Sequence, residues 1–487
     1  MFMGRFNWVI VAICAALLPL AAHGASVVKV TDSAPHPGSV LNVTGTGFGA
    51  GEAVDVYFDT TDTLLVVSTS KGAFTGSITS PTSAQPGAHY VTAIGRHSGD
   101  AAQVALTITT PWGEFGYGAA HLGWNPYENT LDSGNVPSLD TLWTKPVLAT
   151  GATPVIAGGH VFVPTSAGLQ NRAVTNGALK WSVLTSQTFF AAPAVVGAVV
   201  YANTSSGTVY ALNATTGATI WSRTLGTVID SSPVVTGGVV YVAVYDTKTV
   251  YALSAATGAT LWSNVLGGVI DSSPAVGDGV VVVGAEDNKI YALNALNGKV
   301  VWSYTTGAEV ESSPSISGNM VIAGSDDGNV YALSAASGAL QWSYSTGSEV
   351  YASPAVAGGY VYIGSTNGTL YALERSTGAL FWSYATGGSL RTASVANGVV
   401  YFSSNDNFLY AFTYDGIELT RLVTGQAFYG SPAISDGVVY LATYGGTLSA
   451  FAPLAGTGMV TRQTSPPAIR SLHPDYSLLV TRSPDLR

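Results

Sequence analysis

Asp230, Asp271 and Glu311 each stand three residues before a proline, and Tyr351 holds the same offset before Pro354. Counting back in the same way gives Gly151, Phe190 and Tyr429, with Arg391 placed three before Ser394 where the proline is missing. Three chemistries are open to such a set. The carboxylates and the hydroxyls of Ser231, Ser272 and Ser312 beside them can be solvated rim groups, or can hydrogen-bond the turn into the next strand. The aromatic residues and the arginine can anchor a polypeptide or a glycan, with the acids setting specificity. Neighbouring carboxylates can also share Ca²⁺, with Arg391 contacting a carboxylated cofactor. Hydrolysis has no such support, because no Ser-His-Asp or zinc-type arrangement occurs. His121 lacks a His, Cys or acidic partner at ligand spacing, so a structural role is expected.

These positions recur because the chain repeats. Trp181, Trp221, Trp262, Trp302, Trp342 and Trp382 are spaced by 40, 41, 40, 40 and 40 residues. In its clearest form the unit reads Ser-Ser-Pro, a Gly-bounded apolar run, Tyr-Ala-Leu, Thr-Gly, Trp-Ser, which is four short β-rich runs with turn residues between them. A period of about forty with four strands predicts a propeller blade, with the first strand innermost and the residues before its proline at the channel mouth. First strands are expected at Pro154, Pro193, Pro233, Pro274, Pro314, Pro354, Ser394 and Pro432, and fourth strands at Trp143, the six spaced tryptophans and Thr420. The two series are out of phase. A fourth strand near 142–147 therefore completes the last three-strand group at 431–451, closing an eight-bladed ring without free edges. Asp246, Asp287, Asp326, Asp327 and Asp406 fall between second and third strands and are expected to serve hairpin turns. Thr420, where a tryptophan should dock, marks the contact expected to be weakest.

The run Ala211-Leu212-Asn213-Ala214-Thr215-Thr216-Gly217-Ala218-Thr219-Ile220-Trp221 resembles the tryptophan-docking motif of the pyrroloquinoline-quinone (PQQ) repeat propellers, and residues 252–262, 292–302, 332–342 and 372–382 match it too. The resemblance implies the fold. For function it implies either of two classes: cofactor-free propellers, among them the BamB-type lipoproteins of outer-membrane protein assembly, or quinone-dependent dehydrogenases. The dehydrogenases commonly carry a vicinal Cys-Cys pair and long inter-blade loops, and this chain offers neither. Its one cysteine is Cys14.

Residues 1–24 carry Arg5, an apolar run and Ala22-His23-Gly24, the pattern of a cleaved secretory signal. Residues 25–110 alternate in the manner of an immunoglobulin-like sandwich and resemble the modules of bacterial surface proteins. Residues 111–137 form a leader, 138–453 the propeller, and 454–487 a tail expected to be disordered. With 18 basic and 28 acidic residues, the chain is a poor match for nucleic acid or anionic lipid. The resulting expectation is an exported, secreted or periplasmic, monomeric propeller. It would have no transmembrane segment, cofactor, metal or catalysis, and would bind a protein or glycan partner of the cell envelope. The alternative is a PQQ- and calcium-dependent dehydrogenase with Asp230, Asp271 and Glu311 on the metal.

Overall fold

The computed structural model describes residues 25–148, 152–184, 186–428 and 430–454. The signal sequence with Cys14, the ring positions Gly151 and Tyr429, and the tail from 455 lie outside the described residues. From Val155 onward, the described residues form six successive four-stranded antiparallel sheets in simple strand order from the inside outward, then a seventh whose inner strand Ser394–Ala396 also pairs in parallel with Trp124–Asn125, and three strands of an eighth. Val234–Thr236, Val239–Val244, Thr249–Ser254 and Thr260–Val265 are representative. Burial explains the order: the second strand Val239–Val244 is almost wholly buried, whereas the fourth, Thr260–Val265, alternates between exposed and half-buried. The architecture is that of an all-β propeller. Its last sheet takes its outer strand from the other end of the chain, Leu139–Pro146 pairing antiparallel with Thr447–Pro453.

The repeated motif residues form the seams between sheets. The indole N–H of Trp302 donates to the Ala335 carbonyl of the next sheet at 2.8 Å, and those of Trp221, Trp262, Trp342 and Trp382 make the same bond at 2.7–2.9 Å. Trp181 repeats it at 3.1 Å and Trp143 at 2.9 Å. Under each ring lies the glycine of the next Thr-Gly or its equivalent. Gly338 has φ +71°, and a Cβ there would stand 2.7 Å from the Trp302 ring, so the site selects glycine on both counts. Thr420 does take a tryptophan's place, opposite Ala411. The leader fills this seam instead, with Leu131 and Val136 buried in a cluster that Leu419 and Leu422 join. The contact expected to be weakest therefore has its own apolar filling.

The strand register corrects one equivalence. Ser394 pairs with Tyr401 as Ala355 pairs with Tyr362, so Ala393, not Ser394, holds the place of Pro354. The connection is one residue shorter here, Arg391 alone lying between Leu390 and Thr392 where Tyr351 and Ala352 lie between Val350 and Ser353.

The leader crosses the inner strands in chain order. The carbonyls of Trp112 and Gly113 accept from the amides of Ile156 and Val195, and those of Ala119 and Ala120 from Val276 and Ile316. Leu122 and Gly123 receive Val356 and Val395, all at 2.6–2.8 Å. The third sheet is reached by a side chain, the Val235 amide donating to Glu114 Oε2 at 3.2 Å. The eighth is reached by Asn125 Nδ2, which donates to the Ile434 carbonyl at 2.9 Å. In each innermost strand the central residue thus turns a backbone group inward, and the leader satisfies it.

Ahead of the leader, Val27–Val30, Val40–Thr46 and Phe74–Thr79 form one sheet. Thr61–Val67, Ala53–Phe58, Gly87–Gly95 and Ala101–Ile108 form a second. Both contribute to a single core that includes Leu41, Phe48, Val56 and Val91. Val40–Thr46 alternates strictly between exposed and buried, the pattern of a strand with one face on a core. A carboxylate network joins this sandwich to the propeller. Glu128, 3% exposed, accepts from Thr110, Thr130, Leu131 and Gly437.

Candidate functional site

Two kinds of loop meet at the mouth where the chain enters the innermost strands: the connection from a fourth strand to the next first strand, and the hairpin between second and third strands. The first supplies Asp230, Asp271, Glu309, Glu311, Glu349 and Tyr351. The second supplies Glu286 and Asp326. Glu309, Glu311 and Asp326 come closest, each offering a carboxylate oxygen within 4.8 Å of the others. Such a triad of hard oxygen donors is chemically suited to a divalent cation.

The electrostatics of this arc are those of like charges gathered at a partly desolvated surface. Burial, reinforced by Asp230 and then Glu286, pushes Asp271 up to about 6. Burial also raises Asp230 and Glu311, the latter helped by Asp271, Glu286, Glu309 and Glu349. Asp326 is pushed furthest, to about 7, by burial and then by Glu311, Glu309, Glu349 and Asp327. One of its oxygens, Oδ1, is buried with no hydrogen-bond partner.

Several expectations change on this geometry. Asp326 lies in its hairpin turn as expected, the Gly328 amide donating to the Ser325 carbonyl across it at 3.0 Å, but unlike its counterparts it also meets the carboxylates of Glu309 and Glu311. Asp246 accepts from the Thr227 amide and hydroxyl, and Asp327 from the Gly307 and Asn329 amides and the Tyr331 hydroxyl. Asp406 accepts from the Gly387 amide and Tyr410, and Asp287 from Tyr291. The hydroxyls of Ser231, Ser272 and Ser312 do not stand free beside the acids. They are buried and donate to the carbonyls of Ala243, Gly284 and Ala352. Tyr351 joins these acids. Burial, then hydrogen bonding to the Glu349 carboxylate and the charge of Asp326, raises its phenol to about 12, which places it within the acidic arc.

Phe190 is 51% exposed, and Arg391 Nε donates to the Phe428 carbonyl at 3.2 Å. The serine immediately before the proline has a role that motif reading missed. Ser273 Oγ accepts the Ser232 amide at 2.8 Å, Ser313 Oγ the Ser273 amide at 2.9 Å, and Ser353 Oγ the Ser313 amide at 3.1 Å. These bonds run around the mouth and hold its circumference. Glu286, Glu309 and Glu349 were missed as well, although the repeat carries their signal: Glu309 and Glu349 are one period apart, as are Glu286 and Asp326.

Away from the mouth, two ionisable groups are buried in the leader. Glu114 is 8% exposed, and burial, only partly offset by the Val235 amide, raises it to about 7. His121 is 1% exposed, with neither ring nitrogen hydrogen-bonded. Burial lowers it to about 4, the neighbouring Pro314 backbone opposing slightly. Packed edge-on to Phe115 at 5.1 Å, it has the surroundings of a structural histidine. Among the described residues, no helix is long and apolar enough to cross a membrane.

A family model described as outer membrane protein assembly factor BamB matches residues 134–245, 205–353 and 326–458. No curated protein matches the chain in sequence. Among solved structures, BamB from Moraxella catarrhalis aligns with 18% identity and a TM-score of 0.57, covering 64% of this chain and 99% of its own. The quinohemoprotein alcohol dehydrogenase ADHIIG from Pseudomonas putida HK5 aligns with 15% identity and a TM-score of 0.62, covering 74% of this chain and 82% of its own. A europium-containing methanol dehydrogenase gives 13% and 0.63, covering 70% and 98%. At these identities the structural likeness shows the fold alone, and that fold is shared by assembly factors and oxidoreductases.

Proposed function

The chain belongs to the PQQ-repeat family described as outer membrane protein assembly factor BamB, and from that premise we propose that it is a non-enzymatic, eight-bladed propeller that docks a partner at its acidic mouth. The observation that carries this reading is the convergence of Asp230, Asp271, Glu286, Glu309, Glu311, Asp326 and Glu349 on one arc with Tyr351. A carboxylate arc flanked by exposed aromatic side chains suits a protein partner that presents basic residues, because complementary charge steers encounter and tyrosine supplies a rigid anchor. A glycan held by the same tyrosine is the secondary form of this reading. The N-terminal sandwich is an immunoglobulin-like module fixed to the propeller through Glu128. The protein is exported by a cleaved signal, works as a monomer in the periplasm or at the cell surface, and serves as an envelope assembly scaffold.

A second reading has one observation in its favour: Glu309, Glu311 and Asp326 are spaced to hold a cation. This set differs from the expected Asp230, Asp271 and Glu311. Calcium fits such donors. PQQ, itself a carboxylated anion, does not fit an arc of carboxylates whose repulsion already raises their proton affinity, so no oxidation step is assigned to these residues.

The two readings separate in one set of measurements. Calcium alone is expected to raise the thermal midpoint modestly, and calcium with PQQ to add nothing and support no dye-linked oxidation of alcohols or sugars. Turnover that disappears in Asp271→Asn would overturn the docking reading. Recovery of partners from the source organism's envelope is expected to fall for Tyr351→Ala, and equal recovery would leave the acids as solvated rim groups.

A further inference from the structure

We propose that Trp112–Asn125 is a clasp that couples the sheets of the propeller into one cooperative unit, a role separate from docking at the acidic mouth. Stacked repeats contact only their neighbours, so each can open with an energy of its own. Here one segment bonds the central residue of every innermost strand, in chain order, through backbone carbonyls and the side chains of Glu114 and Asn125. An inner strand that shifts must leave an inward-facing backbone group unpaired, and that cost is met wherever along the leader the shift begins.

The fit is close enough to transmit such a shift. Gly123 has φ +60°, and a Cβ on it would lie 2.7 Å from Ala355 Cβ and 3.1 Å from the Ala393 carbonyl, against the sixth and seventh sheets at once. Ser315 Oγ lies 2.6 Å from both the His121 carbonyl and the Pro354 carbonyl, joining the leader to the fifth and sixth sheets. Both ends of the segment are held. Asn125 Nδ2 donates to the Thr110 carbonyl as well as to Ile434, and Thr110 exchanges bonds with the Asp436 backbone and carboxylate.

Native-state hydrogen exchange of the full chain under a denaturant series tests the clasp. In the wild type, the inner-strand amides of all the sheets are expected to share a single opening free energy. In Gly123→Val, which pushes the leader off Ala355, the values should spread apart from sheet to sheet. Gly338→Ala, in a seam away from the leader, should lower protection while keeping one shared value. Should Gly123→Val fail to fold, Glu114→Ala removes only the third-sheet contact, and the strand Val234–Thr236 is expected to open separately from the rest. Sheet-dependent opening already in the wild type would overturn the proposal. So would a single shared value in whichever leader variant is measured, or an equal spread in Gly338→Ala.

Discussion

Glu114→Gln should make the protein more stable in mild alkali. The wild-type carboxyl sits almost wholly buried against the inner strands and is raised from 4.5 to about 7, chiefly by burial. At about 1.4 kcal/mol for each unit of pKa, that displacement corresponds to about 3 kcal/mol of preference for the neutral form. The direction follows from linkage. Below pH 4.5 the carboxyl is protonated in both folded and unfolded chains and nothing is lost. From 4.5 to 7 the unfolded chain ionises first, so stability falls as pH rises, and above 7 the whole cost is present. Glutamine cannot ionise, and its amide oxygen can still accept the Val235 amide. Urea unfolding of wild type and Glu114→Gln at pH 4.5, 6 and 8 should give equal stabilities at the lowest pH and a variant advantage approaching about 3 kcal/mol at the highest. An unchanged or lower stability at pH 8 would refute the claim that burial of this carboxyl governs its titration.

His121 gives the mirror image. Its contribution is complete above pH 6.5 and is lost as pH falls toward about 4, so His121→Leu should unfold at a lower pH than wild type in an acid titration followed by tryptophan fluorescence. Gly338→Ala combines a left-handed backbone with a clash against Trp302 and should cost about 2–3 kcal/mol in chemical denaturation. Leu131→Ala empties the seam that lacks a tryptophan and should cost about 3 kcal/mol, read the same way. Asp326→Asn removes one charge from the acidic arc and should stabilise by about 1–2 kcal/mol at pH 8, discounted for its partial exposure, with the gain vanishing near pH 4 where the wild-type carboxyl is protonated.

The forty-residue period disclosed the propeller because blade packing is written in side chains. Trp302 needs a glycine beneath it and a carbonyl beside it, and both needs recur with the repeat. Closure was legible for the same reason, since an outer strand near Trp143 had no inner strands before it. The leader was not legible as a strap, because six of its eight contacts use backbone carbonyls, which any sequence provides. The mouth was half legible. Asp230, Asp271 and Glu311 could be found by counting from prolines, whereas Asp326 was hidden by its position in a hairpin whose other aspartates serve turns. Only its neighbours, Glu309 and Glu311 from another loop, distinguish it from Asp327. Counting also failed at Ser394, where the connection is one residue shorter and no proline marks the register.

Site-specific photocrosslinking tests the central claim most directly: a photoreactive side chain at Tyr351, on the acidic mouth, compared with one at Leu296, which is 90% exposed in a hairpin between third and fourth strands on the opposite face. In cells of the source organism, position 351 is expected to capture one discrete partner that position 296 does not, and Glu309→Lys with Glu311→Lys should abolish the capture. Equal capture at both positions, or capture unaffected by the charge reversals, would contradict a docking function for the acidic mouth.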